Sequence, residues 1–373
     1  MVVHSDVFER FTQGDTIPVM TQAAMENALS PRIIDQLFDD VAERQYTRDL
    51  LFSSIVEMMS LVVCRIQPSI NAAYQKNAVP ISVSLQAIYR KLNRIETATA
   101  SALVRKSDER LAPVISAMGS TLTPFLPGYR TKILDGNHLP GTEHRIRELR
   151  TMRAGALPGQ AVVVFDPERM LAIDAILCED GHAQERSLLD QVLETVAAKD
   201  LWIADRNFGT TDFLFGIAGR GGFFVIRQHA ATLYYTLVGE RKARGRIETG
   251  AVFEQTLRAT NTAGEVLFLR RVSVILDQPT RDGDTEVHLL TNLPVRDARA
   301  QVIANLYRRR WTIETAFQEL EATLAGEITT LGDPQAALFA FCVALVSYNV
   351  MSTVKAALRA AHGAEVITEQ FSG

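Results

Sequence analysis

Hydrophobic positions recur at helical spacing through the first 125 or so residues. Ser30-Pro31 supplies an N-cap residue and a proline at the first helical position, and apolar residues follow at 34, 37, 38 and 41. The same spacing predicts three more helices, over residues 50–65, 85–95 and 99–118. We therefore expect an N-terminal helical domain over residues 1–125. Its third helix carries Arg90, Lys91 and Arg94, so a DNA-binding use of this domain stays open beside a packing role.

After residues 120–128 the pattern changes to short apolar strands that alternate with helices. Strands are predicted over residues 131–134, 161–165, 171–177, 201–204 and 223–226, with helices over 184–197 and from about Thr211. The turn Asp166-Pro167-Glu168-Arg169 predicts that the second and third strands form an antiparallel hairpin. This order indicates an α/β segment over residues 126–228.

The remainder of the chain divides into a β-rich part and a helical part. Alternating segments broken by Gly and Asn occur at 233–238, 266–276 and 287–291, which predicts a β-rich insertion over residues 229–295. A long helix from Ala298 to about Leu324 and an apolar helix from Ala336 to Val350 are expected within 296–373. The most apolar runs are shorter than the ~18 residues that a bilayer span needs, so we expect no membrane partner.

Composition narrows the class of protein. The 373 residues are 47% hydrophobic and 22% charged, which is typical of a globular protein. No apolar signal-peptide core follows the charged first ten residues, so we expect no export. The three cysteines form no CxxC pair, which supports neither a disulfide framework nor a zinc knuckle and fits a reducing cytoplasm. The net charge is −4, yet residues 220–246 carry six basic residues against Glu240 alone. Such a run is either a solvated loop or a DNA contact.

Two aspartates follow directly after apolar strands. Asp135 comes after Ile133-Leu134, and Asp205 comes after Ile203-Ala204. A carboxylate at the end of a buried strand costs desolvation energy unless a cation meets it, so two on neighbouring strands suggest a shared divalent ion. The alternative is that each aspartate forms a turn or a cap.

A third candidate group lies on the predicted closing helix. At 100° per residue, Tyr307, Arg310 and Glu314 share one face, and an apolar stripe through Ile313 lies beside it. The alternative is an ordinary amphipathic helix whose Arg310–Glu314 pair is a common i,i+4 arrangement. Trp311 is expected to pack in the core or against another helix, with stacking on a DNA strand as the alternative.

Together these residues resemble the DDE-class transposases of bacterial insertion sequences, and more narrowly their "IS four" family. The motifs that carry the resemblance are Asp135-Gly136-Asn137, Glu143-His144-Arg145, Ala204-Asp205-Arg206-Asn207-Phe208, Leu289-Leu290-Thr291-Asn292-Leu293-Pro294 and Tyr307-x2-Arg310-x3-Glu314. The resemblance runs from about Ile55 to Val350. It implies a ribonuclease-H-like mixed sheet flanked by helices, with the β-rich insertion before the last catalytic helix and an N-terminal helical domain.

The resemblance implies an enzyme that cuts and joins DNA at the ends of its own insertion sequence. Asp135 would bridge two Mg²⁺ ions, with Mn²⁺ as a substitute, while Asp205 and Glu314 would hold one each. Tyr307 and Arg310 would contact the phosphates beside the scissile bond. Expected partners are double-stranded DNA with terminal inverted repeats, target DNA and a second copy in a homodimer, in the bacterial cytoplasm and on the nucleoid.

The basic run adds a separate expectation. We expect Arg241, Lys242, Arg244 and Arg246 to contact DNA phosphates. In this hypothesis the β-rich insertion closes over DNA and is not part of the central sheet.

One signature position departs from the family. The lysine expected seven residues after the catalytic glutamate is Glu321 here, and the chain stops at Gly373, where relatives are expected to continue into a dimerisation region. The alternative function is therefore a degenerate or truncated copy that binds element ends without efficient catalysis and inhibits transposition. Either Glu321→Lys raises affinity for DNA ends, or Lys132 or an arginine of 308–310 replaces the missing lysine. A third class, an unrelated metal-dependent nuclease or phosphatase, conflicts with the motifs.

Overall fold

The structure is a computed structural model that describes residues 26, 30–43, 50–76, 83–139, 159–180, 183–229, 233–280, 283–326, 328 and 331–362. The chain forms two compact units. The first comprises residues 1–122, 137–183 and 316–373, and the second comprises 123–136 and 184–315. The predicted division into four segments is not tested by this grouping and stays a prediction.

The helices of the described chain are, in order, α1 (Pro31–Val41), α2 (Phe52–Val63), α3 (Ile70–Lys76), α4 (Leu85–Leu92), α5 (Thr97–Ala117), α6 (Leu189–Glu194), α7 (Thr211–Gly219), α8 (Ala300–Arg308), α9 (Trp311–Thr323) and α10 (Pro334–His362). Short 3₁₀ turns lie at Glu185–Leu188 and Arg206–Phe208. The four helices predicted before residue 125 are confirmed as α1, α2, α4 and α5. Ser84 caps α4 by accepting the Ala87 N–H, whereas the Ser30 side chain makes no capping bond to α1.

The strands are β1 (Arg130–His138), β2 (Gln160–Asp166), β3 (Leu171–Cys178), β4 (Asp200–Ala204), β5 (Phe223–Arg227), β6 (Tyr235–Ile247), β7 (Gly250–Thr260), β8 (Val266–Leu276) and β9 (Glu286–Thr291). The predicted fold class, an α/β protein with a mixed sheet flanked by helices, is confirmed. The predicted hairpin is also confirmed, because β2 pairs antiparallel with β3 through a turn at Asp166. Strand β7 was absent from the predicted set.

The first unit packs α5 and α10 against β3. Its core includes Leu111, Leu171 and Val350, which are at most 3% exposed. Asn349 of α10 is fully buried, and its side chain bonds the backbone of Ala172 on β3 and the hydroxyl of Ser107 on α5. This amide joins three elements with its hydrogen bonds satisfied, so it fixes their register within an apolar core.

Helix α10 is long and apolar enough to span a membrane by length and composition alone. However, 89% of its most apolar window is buried within the protein, as expected of a core helix. Within the described residues it is the one helix that passes this test.

In the second unit the strand order is β1-β4-β5-β9-β8-β7-β6. Strand β1 pairs parallel with β4, and β4 pairs parallel with β5. The base of this ladder holds Asp200, which is fully buried and contacts Arg130 Nε at 3.0 Å and Lys132 Nζ at 2.8 Å. A buried carboxylate is stable only with such partners, so the ion pairs hold β1 and β4 together.

The expectation that the β-rich insertion stands apart from the central sheet is wrong. Strand β9 pairs antiparallel with β5, with Val225 opposite Thr291, and β8, β7 and β6 follow in the same sheet. Local alternation of residues does not reveal which strand a segment will pair with, because that pairing joins residues about 66 positions apart.

The single closing helix predicted from Ala298 to Leu324 is also wrong. The chain forms α8 and α9 with a break at Arg309 and Arg310. At the break the N–H of Arg310 bonds the carbonyl of Tyr307, an i→i−3 bond that tightens the turn. Both helices keep an apolar stripe, so the spacing of hydrophobic residues continues through the break and hides it.

A half-buried histidine on β9 should make the stability of the protein depend on pH. His288 Nδ1 lies 2.8 Å from Ser273 Oγ, and burial together with the nearby Arg271 lowers its pKa to about 4. The unfolded chain binds a proton near pH 6.5 and the folded chain only near pH 4, so stability is lost as pH falls through that window. We expect the free energy of unfolding to fall by about 1 kcal/mol between pH 7 and 5, after allowance for the partly exposed ring.

Urea denaturation of the parent and His288→Gln proteins at pH 7 and pH 5 measures this effect. Glutamine has no proton to gain, so the variant should lose less stability on acidification. Identical losses in the two proteins would contradict the assignment to His288.

Candidate active site

The pairing of β1 with β4 places two carboxylates side by side. Leu134 lies opposite Ala204 in the parallel register, and Asp135 and Asp205 are the next residues on each chain. Neighbouring strands run about 4.8 Å apart, so both side chains leave the same edge of the sheet together. Asp205 also begins the 3₁₀ turn Arg206–Phe208, with an extended backbone at its own position.

The break between α8 and α9 brings three more side chains to this edge. Tyr307 Oη donates a hydrogen bond of 3.1 Å to Asp205 Oδ1. Arg310 Nη1 lies 3.2 Å from Asp135 Oδ2, and its Nη2 bonds Glu314 Oε1. The five residues predicted as one site are therefore linked by hydrogen bonds and ion pairs. The strand end predicted before Asp135 is wrong, because β1 continues to His138, whereas β4 ends directly before Asp205. Their functional roles stay predictions.

The site carries more negative than positive charge. Burial raises the pKa of Asp135 to about 7; Arg310 opposes this rise, whereas Glu314, Glu185 and Asp205 add to it. Burial alone would lower the pKa of Arg310, but Asp135 and the other acidic groups outweigh it and raise that pKa. Burial and the charge of Asp205 also raise the pKa of the Tyr307 hydroxyl, which keeps it a proton donor. One guanidinium does not balance these carboxylates.

Sequence reasoning missed Glu185, a fourth carboxylate at the site. It lies on the first 3₁₀ turn, and Asn207 Nδ2 donates to its Oε2 at 3.3 Å. A Cβ at Gly136 would overlap the Glu185 carboxylate, so a larger residue here would require that flexible side chain to move. The Asp-Gly-Asn and Asp-Arg-Asn motifs hold the partners of Glu185, but nothing local marks Glu185 itself.

These residues fit a divalent cation in their chemistry and charge, because hard carboxylate oxygens in negative excess are the ligands that Mg²⁺ prefers. Their present arrangement does not form a metal cluster: among the described residues, no three His, Cys, Asp or Glu side chains are grouped to hold an ion. The Arg310 guanidinium lies between Asp135 and Glu314 and bonds both. The fit therefore requires Arg310 to release these oxygens.

A cavity of about 490 Å³ adjoins Asp205 and Glu314. Its cationic lining consists of Arg206, Arg227, Arg308 and Arg310. Trp311 lies on its wall and is 55% exposed, so the expectation of a core tryptophan is wrong. As the first residue of α9 it stands where the helix break turns it outward. Arg227 pairs with Asp284, Arg308 with Glu248 and Arg310 with the site carboxylates, so their charges are partly neutralised within the chain. Arginine donors beside the carboxylates are the groups that a phosphate would meet there.

The basic run on β6 is largely neutralised by acidic residues of neighbouring strands. The ion pairs are Arg241 with Glu286, Arg244 with Glu254 and Arg246 with Asp277. Lys242 is exposed and makes no ion pair among the residues that the structure describes. Sequence reasoning counted only the basic members, because their partners lie 10 to 45 residues away along the chain. DNA binding by the four residues stays a prediction.

Most of the residues that could replace the missing lysine have other ionic partners. Lys132 is paired with the buried Asp200 and lies 4.9 Å from the Trp202 ring centroid. Arg308 pairs with Glu248, and Arg310 with the site carboxylates. Glu321 lines a separate cavity of about 320 Å³ in the first unit, where Arg65 donates to its backbone carbonyl. The motif Glu143-His144-Arg145 lies outside the described residues.

Comparison with known proteins agrees with this geometry. A family model described as "Transposase DDE domain" matches residues 126–350, more than half of the chain. The chain belongs to this family. It is also 23% identical over 262 residues to "Putative transposase InsL for insertion sequence element IS186A" from Escherichia coli K12 and, at the same identity, to "Transposase for insertion sequence element IS421" from Escherichia coli. Each match covers 61% of this chain and 66% of the relative, just under two thirds of its length.

The predicted class, an insertion-sequence transposase of the DDE class, is confirmed by these matches, and the mixed sheet is consistent with a ribonuclease-H-like fold. In this transposase the Leu289–Pro294 motif has a structural task. The Asn292 side chain accepts the Phe224 N–H and donates to the Gly222 carbonyl. Arg270 donates to the carbonyls of Leu293 and Ala298, which lead into α8. These bonds position the segment that carries Tyr307 and Arg310.

The contact between Gly136 and Glu185 yields a stability prediction. Gly136→Ala should change the free energy of unfolding by less than about 1 kcal/mol, because the Glu185 carboxylate that the added methyl group meets is the far end of a flexible side chain and can move aside. Any cost should disappear in a Glu185→Ala background, since the obstruction is gone. Urea denaturation of the two single variants and the double variant completes the cycle. Additive effects would show that the two residues do not interact.

Proposed function

We propose that this protein is a metal-dependent DNA transposase that cuts and joins DNA at the ends of its insertion sequence. The observation that carries the proposal is the linkage of Asp135, Asp205 and Glu314 at one edge of the sheet through Arg310 and Tyr307. Family membership makes DNA the substrate to consider first. We infer the metal and the reaction from that linkage, and the substrate ends from the family.

Asp135, Asp205 and Glu314 would hold two Mg²⁺ ions, or Mn²⁺ in their place. When bound, such ions lower the pKa of water and stabilise a leaving 3′ oxygen during phosphodiester cleavage. Asp135 suits the central position, because Asp205 lies beside it and Arg310 already joins it to Glu314. Glu185 supplies further negative charge to this edge.

The other residues of the site would position DNA. Arg310 is a fork of parallel donors that matches a phosphate, and Tyr307 adds a hydroxyl donor. Arg206 and Arg227 line the cavity beside them and would orient the strand. Because the cavity adjoins Asp205 and Glu314, a phosphate held there is near the carboxylates.

We further infer a bacterial, cytoplasmic protein that acts on inverted repeats and target DNA as a homodimer. The support is membership in a family whose named relatives belong to insertion sequences. A second candidate function, an inhibitor that binds element ends without cutting them, is favoured by Glu321 alone. Its carboxylate replaces the lysine expected seven residues after Glu314.

A cleavage assay tests the proposed function. Linear DNA that carries the candidate inverted repeats is incubated with purified protein, with Mg²⁺ or with EDTA. We expect cuts at the repeat ends only with Mg²⁺, and a loss of at least about 100-fold in Asp135→Asn, Asp205→Asn and Glu314→Gln, because each removes a metal ligand. The matched control Asp190→Asn changes an exposed carboxylate on α6 and should keep full activity. End binding by the parent without cutting would favour the inhibitor instead.

Two basic residues of β6, Lys242 and Arg244, should differ in their effects on DNA binding and on stability. Lys242→Ala should leave the free energy of unfolding within about 0.5 kcal/mol and lower the slope of log affinity against log salt by about 0.9, if Lys242 contacts one phosphate. Arg244→Ala should instead lower stability by about 1 kcal/mol, because Glu254 loses one of its two arginine partners. Fluorescence anisotropy with duplex DNA at several salt concentrations measures the slope. An unchanged slope in Lys242→Ala would remove that residue from the DNA contact.

A further inference from the structure

Arg310 bonds one oxygen of each of two carboxylates that are proposed to bind a divalent cation. Its side chain is only 10% exposed, and its two terminal nitrogens bond Asp135 Oδ2 and Glu314 Oε1. A guanidinium does not lose its proton in a protein, so this positive charge remains while the side chain stays in place. The oxygens that it bonds belong to two of the three residues proposed as metal ligands.

A cation and this guanidinium compete for the same carboxylates. Two positive groups within a few Å repel each other, and the oxygens that face Arg310 are not free for a metal. Removing Arg310 without a replacement leaves the carboxylates uncompensated, because Glu185 and Asp205 already add negative charge around Asp135. The site is thus neutralised in part by Arg310 when no metal is present.

The surroundings of Arg310 provide an alternative partner for the guanidinium. Arg310 lines the 490 Å³ cavity together with Arg206 and Arg227. Its Nε is buried and makes no hydrogen bond within the part of the chain that the structure describes, so the present bonds leave one donor unused. A phosphate in the cavity could accept two parallel N–H donors from Arg310, including the Nε–H that is unused here. Arg310 lies in the break between α8 and α9 and not within a helix.

We propose that Arg310 is an internal counter-ion that occupies the metal-binding carboxylates until a DNA phosphate draws it into the cavity. DNA binding then raises the affinity for divalent cations, and by linkage a divalent cation raises the affinity for DNA by the same factor. The inference rests on the proposed function, since it takes Asp135 and Glu314 as metal ligands. Its consequence is a transposase that assembles its metal site only on DNA.

Titration with Mn²⁺ tests this coupling without any measurement of cleavage. Free Mn²⁺ is followed by its electron paramagnetic resonance signal, with and without a short duplex, and the signal of duplex alone is subtracted. The proteins are the parent, Arg310→Gln, Arg310→Lys and the matched control Arg220→Gln, which removes an exposed arginine of the same unit. Asp135→Asn defines the binding that does not belong to this site.

We expect the parent to bind Mn²⁺ at least about tenfold more weakly without duplex than with it, within the usual range of coupling between sites. Arg310→Gln should bind Mn²⁺ at least tenfold more tightly than the parent when DNA is absent, and duplex should change its affinity little. Arg310→Lys keeps the charge but reaches one carboxylate at a time, so its affinity should lie between the two. Arg220→Gln should match the parent.

Two results would overturn the inference. Equal Mn²⁺ affinity in the parent and Arg310→Gln would show that the guanidinium does not compete with the metal. An equal gain from duplex in both would show that the coupling does not pass through Arg310. The parent alone, with and without duplex, also tests the coupling if a variant does not fold. Failure of the proposed function is distinct: Mn²⁺ binding that is unaffected by Asp135→Asn in every condition would refute the metal site itself.

Discussion

The parallel pairing of β1 with β4 is the constraint on which the candidate site depends. It sets Leu134 opposite Ala204, so the next residues, Asp135 and Asp205, are neighbours at the same strand ends. A shift of one residue would turn one carboxylate to the opposite face of the sheet. The register is held at the other end of the strands by Asp200, whose buried carboxylate pairs with Arg130 and Lys132 of β1. The ion pairs of Asp200 thus hold the register that sets Asp135 beside Asp205.

The charge at this edge explains why Arg310 and Tyr307 lie where they do. Burial first, and then the repulsion of the neighbouring carboxylates, raise the pKa of Asp135 to about 7. Arg310 reduces that repulsion by bonding Asp135 and Glu314, and Tyr307 donates to Asp205. The family resemblance assigns both residues to DNA phosphates. In the structure they bond the carboxylates, so in the proposed coupling the same donors would serve both partners.

Much of the site could be predicted from the sequence because its signals are local. The apolar runs before Asp135 and Asp205 mark two strands, although β1 continues past Asp135 to His138, and the i,i+4 spacing of Arg310 and Glu314 allows their pairing. What could not be predicted depends on contacts between distant residues. Nothing near β9 indicates that it pairs with β5, and nothing near Arg244 indicates Glu254. The helix break at Arg310 was hidden for a different reason, because the apolar stripe continues through it.

The joining of the insertion to the central sheet changes how DNA must reach the carboxylates. An insertion paired to β5 along its β9 edge does not close over DNA as a separate lid, since closure would break the ladder from Val225 to Arg227. Asn292 and Arg270 instead tie the end of β9 to β5 and to the start of α8. The insertion therefore acts as a rigid support for the segment that carries Tyr307 and Arg310. In the proposed coupling the part of the site that moves is the Arg310 side chain, and DNA would enter the cavity beside it.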